Sequence, residues 1–491
     1  MSFNTSAGAL RNISFYFALS AILCLLLADL EISTPEPWTE LGRMLTGVLT
    51  PNLGLWKMLL EGTATTLAFA LQGITAATII GFILAINYHR VVVRIFCAFI
   101  RSIHELFWAL LIMQVAGLST TTGLLAIAIP YTGTLAKIYG ELFEEHKPAF
   151  DNRDANPARL SLFFYTVLPV VWRPLQDYTR YRFECAIRSS VVLGFVGLPT
   201  LGFHLESALR EGQYSDAAML LYGLLLLVGT LRFWLKKRLL PIYILAALYY
   251  LPPTAVINWD FALRFFTEDI VPAPLRHQGL SGMGTWIRQL WQHQLWPGLI
   301  DTLILSQLAL VVTAVLALAL FPLNSPLFFQ TRTRVLGDLG LIILRTLPEY
   351  LLAFIGLLLF GPSMLPAVFA LSLHNAGIIA HLLGHYSVQI KLREDATQGL
   401  NRYAYEVLPR LYRQFLAFLF YRWEVILRET AIVGILGIST LGFYIDSAFE
   451  EFRFDRAIVL ILASAFLNMG VDRYARYLRL RLHVKSTPET I

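Results

Sequence analysis

The sequence predicts an all-α polytopic membrane protein of about twelve transmembrane helices, arranged as two parallel six-helix repeats. Three observations predict it. The composition is 56% hydrophobic and only 15% charged, with a mean hydropathy of +0.61, far from the usage of soluble domains. Apolar runs near or above the ~18 residues that span a bilayer recur along the chain. A stretch reading YRFECAIRSSVVLGFVGLPTLGF from Tyr181 returns as YRWEVILRETAIVGILGISTLGF from Tyr421.

The first apolar run, 14–30, follows a short polar leader and lacks a small-residue cleavage pattern, so it reads as a retained anchor rather than a removed signal peptide. Runs at 64–86, 95–115, 119–138, 184–203 and 217–235 complete the first repeat. Runs at 239–256, 298–321, 338–360, 363–384, 424–444 and 456–472 make the second. Cys24, Cys97 and Cys185 are odd in number and widely spaced, which supports neither a disulfide framework nor a metal motif.

With the N-terminus placed in the cytoplasm, 25 of the 39 Lys and Arg residues fall in cytoplasmic segments and 8 in periplasmic ones. That asymmetry is the one retained basic residues produce. It accounts for the +6 net charge as topology, so no nucleic-acid partner follows from it. Both termini are expected in the cytoplasm.

Laid over each other without a gap, 181–208 and 421–448 agree at 12 of 28 positions. RSIHELFWALL from Arg101 pairs with RTLPEYLLAFI from Arg345, and PYTGTLAKIYG from Pro130 with HNAGIIAHLLG from His374, both at an offset of 244. An even helix number gives both copies the same membrane orientation, hence parallel halves about an axis along the membrane normal. The predicted halves are 1–236 and 237–491, joined at the basic run Lys236–Arg238 with no flexible linker.

Between the fourth and fifth predicted helices of each half lies a long amphipathic cytoplasmic segment, about 140–180 and about 385–422. Helices that merely cross a membrane need only short turns, so these segments read either as docking surfaces for a soluble partner or as solvated interfacial helices.

Membrane-embedded charge is costly and needs a partner or a watery path. Arg101 with Glu105, and Arg345 with Glu349, are spaced i,i+4 inside the third predicted helix of each half. They read as paired structural glue or as arginines facing a central path, where guanidinium suits an oxyanion. Arg182, Glu184 and Arg188, with Arg422, Glu424 and Arg428, stand at the start of the fifth helices. They read as ion pairs or as gating and coupling residues. Gly194, Gly197 and Gly202, with Gly434, Gly437 and Gly442, permit close helix packing. His374, His381 and His385 share one helix face but lack a supporting carboxylate cluster, so no metal site is expected. Trp286, Trp291 and Trp296 read as interface anchors.

The run EDATQG followed by Leu408 and Pro409 resembles the cytoplasmic coupling motif of bacterial ABC importer permeases. Arg422, Glu424, Arg428, Gly434, Gly437 and Gly442 resemble the phosphonate-type permeases in particular. The resemblance covers about 55–235 and 295–478, with two permease halves fused in one chain. It implies a type I ABC importer permease fold. It also implies a transport subunit rather than an enzyme, carrying phosphonate or a related small phosphorus oxyanion such as phosphite or phosphate. Two cytoplasmic ATPase subunits would dock on Glu394, Ala396, Gly399, Leu408 and Pro409 and on Leu168 and Pro169, and a periplasmic binding protein would deliver substrate at the bacterial inner membrane. His374 sits where that family tends to have a histidine. The first half departs from the motif, keeping Leu168 and Pro169 without the Gly or Glu-Ala, which implies a weaker or different grip.

No G-x-x-x-x-G-K-[ST] run occurs, so no P-loop is present and ATP with its Mg would bind the partner subunits. An ion-coupled secondary transporter of a small anion is the rival from another class. It would need titratable groups at midplane and no docking segment.

Overall fold

The computed structural model describes residues 3–146, 161, 163–236, 238–251, 259–277, 279–393 and 398–481. All regular structure among them is helical. Contacts divide the chain into two compact units, Met44–Thr267, and Met1–Arg43 together with Glu268–Ile491. Helices α1 (Phe3–Leu27) and α2 (Pro37–Leu49) open the chain.

In the unit Met44–Thr267 the longest helix is α3 (Trp56–Ile86), whose 31 residues exceed the span of a hydrocarbon core. Helices α4 (Val91–Ser102) and α5 (Glu105–Ala116) then meet at 90°. Ser119 caps α6 (Thr120–Glu145) by accepting from the Thr122 amide, and α6 packs along α3. A π-helical turn, Phe163–Val167, leads into α7 (Leu168–Val192), followed by α8 (Leu201–Arg210), α9 (Tyr214–Gly229) and α10 (Leu240–Tyr250).

The second unit has the same order of elements. After α11 (Met283–Leu290) come α12 (Trp296–Leu320), α13 (Thr331–Thr346) and α14 (Glu349–Phe360), the last two meeting at 88°. Ser363 caps α15 (Met364–Ser387) as Ser119 caps α6. A π-helical turn, Arg402–Val407, precedes α16 (Leu408–Ile435), then α17 (Leu441–Glu450) and α18 (Phe454–Arg481).

Among the described residues, four helical stretches are long and apolar enough to cross a membrane, and up to seven spans result if each of three bent pairs counts as one. The chain is therefore a multi-pass membrane protein, helical throughout its described regular structure. Several expected spans are corrected. The runs 95–115 and 338–360 are two helices each, broken at Ile103–His104 and Leu347–Pro348. The run 184–203 bends by 53° between α7 and α8, and α16 ends at Ile435 rather than continuing to 444.

The glycines explain this second kind of corner. Gly197 and Gly437 have φ of +92° and +89°, conformations that L side chains rarely adopt. Beyond the turn the chain folds back so tightly that a Cβ on Gly202 would strike the Val191 carbonyl, and one on Gly442 the Ala431 carbonyl. Gly194 and Gly434 face the returning backbone at Phe203 and Phe443. These residues close a tight corner between consecutive helices, where packing between separate helices was expected.

The leading helix of each expected half does not follow sequence order. α1 packs on α12, with Gln307 Nε2 donating to Ser20 Oγ at 2.7 Å and Phe17 lying against Phe420 and Trp423. α10 packs on α3, where Gln72 Nε2 donates to the Ile244 carbonyl at 3.0 Å. Of the three tryptophans, Trp286 is buried, whereas Trp291 and Trp296 are half exposed and stack at 5.7 Å.

Candidate functional site

A buried polar cluster forms beside the α13–α14 corner. Asn375 on α15 donates from Nδ2 to Glu429 Oε2 at 3.0 Å, and Arg422 Nε donates to Asn375 Oδ1 at 2.6 Å. Arg422 also reaches Glu429 Oε1 at 3.4 Å, seven residues along the same helix. His374 Nδ1 bonds the Leu347 carbonyl at 2.8 Å, so that nitrogen carries a proton. Its Nε2 faces Glu349 Oε2 at 3.7 Å. Asn375, His374, Glu429 and Arg422 are all buried, so each hydrogen bond is made where an unmade one would be expensive.

The other unit has its own version at the α4–α5 corner. Ser189 Oγ donates to Glu105 Oε1 at 2.6 Å and meets the Tyr131 hydroxyl at 3.0 Å. His104 caps α5, its Nδ1 accepting from the Leu106 amide at 3.2 Å. The proton of its neutral ring is therefore on Nε2, which faces Glu105 Oε2 at 3.6 Å. Each corner glutamate thus has an imidazole beside it, but from a different place. In the repeat alignment His104 falls opposite Pro348, and Pro130 opposite His374. Histidine and proline have traded positions between the copies.

The helix breaks correct one expectation. Arg101 and Glu105, and Arg345 and Glu349, are not i,i+4 neighbours on one helix, because each pair straddles a corner. Arg101 is buried in the last turn of α4 and Arg345 half buried in the last turn of α13, where a cation complements the helix dipole. Arg182 donates from Nε to the Tyr178 hydroxyl at 2.7 Å and lies over the rings of Tyr178 and Tyr181. Glu184, Arg188, Glu424 and Arg428 are half buried on α7 and α16, and Arg188 reaches Cys185 Sγ at 3.5 Å. The expectation that the three histidines lack supporting carboxylates is corrected: His374 joins Glu349 and Glu429, while His381 pairs with Asp338 at 3.0 Å and its ring meets His385.

His104, Tyr131, Ser189, Asn375 and Glu429 escaped the sequence reading. The signal was present in the offset of 244, which sets RSIHEL over RTLPEY and PYTGT over HNAGI. Read for complementary exchange rather than identity, it marks both histidines.

Glu394 and Ala396 lie outside the described residues, as do 147–160 of the first segment. The described parts of the two segments share one geometry. Gly399 is exposed with φ +67°. Leu168 and Leu408 begin their helices half buried, and Pro169 and Pro409 follow them exposed at the N1/N2 position that proline tolerates. Val167 and Val407 anchor the π-helical turns, at 4% and 0% exposure, whereas Tyr165 and Tyr405 stand out at 84% and 78%. Phe163 packs on Phe143, and Tyr403 stacks on Phe321. Each turn is thus anchored by a buried valine and projects a tyrosine outward, beside Phe164 at 43% exposure in the first.

The chain is similar to known transport permeases. A cryptic phosphonate transport system permease protein of Escherichia coli is 36% identical over 118 residues, which cover 96% of that protein and 24% of this chain. The chain belongs to the phosphonate-type permease family. The phosphate-import permease protein PhnE of Mycolicibacterium smegmatis is 23% identical over 461 residues, 85% of this chain and 84% of that one. The phosphite transport system permease protein PtxC of Stutzerimonas stutzeri is 28% identical over 187 residues, 37% of this chain and 66% of that one. No family model matches the chain, and no solved structure matches it. This phosphonate-type permease is a transport subunit rather than an enzyme.

Proposed function

We propose that this permease forms the complete membrane pathway of an ATP-driven importer for a small phosphorus oxyanion, phosphonate, phosphite or phosphate, with both permease halves fused in one chain. The observation that carries the proposal is the similarity to the phosphate-import permease, which runs through 85% of the chain rather than one half of it. Each half contributes six spans, for about twelve in all, in the type I ABC importer arrangement. The protein sits in the bacterial inner membrane with both termini in the cytoplasm, as the basic-residue asymmetry favours.

A periplasmic binding protein delivers the anion, and two cytoplasmic ATPases, which hold ATP and Mg, grip the turns ahead of Leu168–Pro169 and Leu408–Pro409. The matching geometry of these turns supports docking at both, despite the degenerate motif in the first. Arg101 and Arg345 supply positive potential to the path, while the buried corner clusters transmit the movement of α7 and α16 to the broken helices. Arg182, Glu184, Arg188, Glu424 and Arg428 lie on the helices that carry that movement.

The test is co-purification with the cognate ATPase, followed by ATP hydrolysis in liposomes containing candidate binding proteins with methylphosphonate, phosphite or phosphate. Ligand-stimulated hydrolysis of a stable complex is expected. Uptake driven by an ion gradient without an ATPase would overturn the proposal in favour of a secondary transporter.

A further inference from the structure

In the unit Met44–Thr267 a cavity of about 390 Å³ lies between α3, α7 and the start of α10. Its wall is mostly apolar, with Ile74, Ile79, Leu175 and Ile244 among the lining residues, and Ile79 is more than half exposed. Arg180 and Lys236, both exposed, also line it. Both belong to segments that the basic-residue asymmetry assigns to the cytoplasmic side, and Lys236 opens the Lys236–Arg238 run.

The corresponding place in the other repeat is filled. Opposite Arg180 in the repeat alignment stands Phe420, 1% exposed, and opposite Phe183 stands Trp423. Phe17 of α1 packs on both rings at 5.4 and 5.1 Å, and Ser14 bonds Tyr412, the counterpart of Trp172. Leu416 and Leu419 stand where the cavity has Gln176 and Thr179. α10 lies on α3 as α1 lies on α12, yet it has 11 residues where α1 has 25. The shorter helix leaves the volume open, and Gln176, Thr179 and Arg180 line it where the other repeat has Leu416, Leu419 and Phe420.

An apolar cavity inside a bilayer is filled by acyl chains rather than water, and paired cations at the cytoplasmic interface attract anionic headgroups. We propose that this cavity binds one anionic phospholipid of the cytoplasmic leaflet, an acyl chain lying along α3 and α10 and the phosphate held by Arg180 and Lys236. A zwitterionic lipid would satisfy the apolar wall equally well. The cations therefore make the headgroup the point of selection.

The experiment uses the full chain, reconstituted with equal phosphatidylglycerol and phosphatidylcholine, re-extracted in mild detergent and weighed intact by native mass spectrometry. One retained phosphatidylglycerol per chain is expected, in preference to phosphatidylcholine. Arg180→Gln and Lys236→Gln should each lower that preference about fivefold. Both side chains are exposed, so unchanged melting temperatures should accompany the loss. Thr75→Phe, which fills the cavity, should expel either lipid. The proposal is overturned if the wild-type chain shows no headgroup preference, or if the double glutamine variant keeps as much phosphatidylglycerol as the wild type.

Discussion

A histidine stands beside each corner glutamate although no position in the repeat alignment holds histidine in both copies. The exchange of His104/Pro130 for Pro348/His374 keeps an imidazole near the carboxylate while changing the helix that supplies it. What the two corners share is therefore an interaction rather than a residue. His374→Pro should lower both transport and melting temperature, and adding Pro348→His should recover a large part of each. A double variant no better than the single one would show that the imidazole is not the retained element. Arg422 and Glu429 make a second case, since removing one partner of a buried ion pair strands the other. Arg422→Ala should destabilise the protein by about 3–5 kcal/mol in thermal unfolding in detergent, whereas Arg422→Met with Glu429→Leu should recover most of that loss.

At the scale of elements, the corners and the π-helical turns both depend on departures from regular helix. Each π-helical turn inserts a valine and an aromatic ring into its own unit, Val167 with Phe163 and Val407 with Tyr403. Anchoring of this kind fixes the direction in which Tyr165 and Tyr405 project. Because both rings are exposed, Tyr165→Ala and Tyr405→Ala should change stability by no more than about 0.5 kcal/mol. Each should weaken ATPase retention about thirtyfold, as loss of an interface aromatic does. Affinity measured for the two variants separately checks whether both turns dock, and a loss confined to Tyr405→Ala would restrict docking to the second.

At the scale of the whole molecule, the compact units cut across the repeats. α1, first in sequence, completes the packing of α12 and α16 in the unit that contains the second repeat, through Phe17, Ser20 and Ser14. Between apolar helices in lipid the driving force is close packing and hydrogen bonding, so removal of α1 leaves those partners unfilled. A chain beginning at residue 31 should lose its sharp, single elution peak in detergent and unfold at a lower temperature, although every helix matched between the repeats is still present. Unfolding unchanged by the truncation would assign α1 to membrane targeting alone.

Composition and the length of apolar runs determined the membrane class, because transfer to lipid depends on side-chain chemistry summed over a window. The recurrence of YRFE from Tyr181 as YRWE from Tyr421 was also legible, because it is a pattern along the chain. The corners were legible only in part. Pro348 disfavours helix at Leu347, whereas in the other copy nothing so local breaks Ile103–His104, and the spacing Arg101–Glu105 reads as one continuous helix. Only the tertiary structure decided that these runs bend, that His374 reaches the Leu347 carbonyl, and that α1 leaves its own repeat. Those outcomes depend on which buried polar groups find partners across helices distant in sequence, and hydropathy summed along a window carries no information about that pairing.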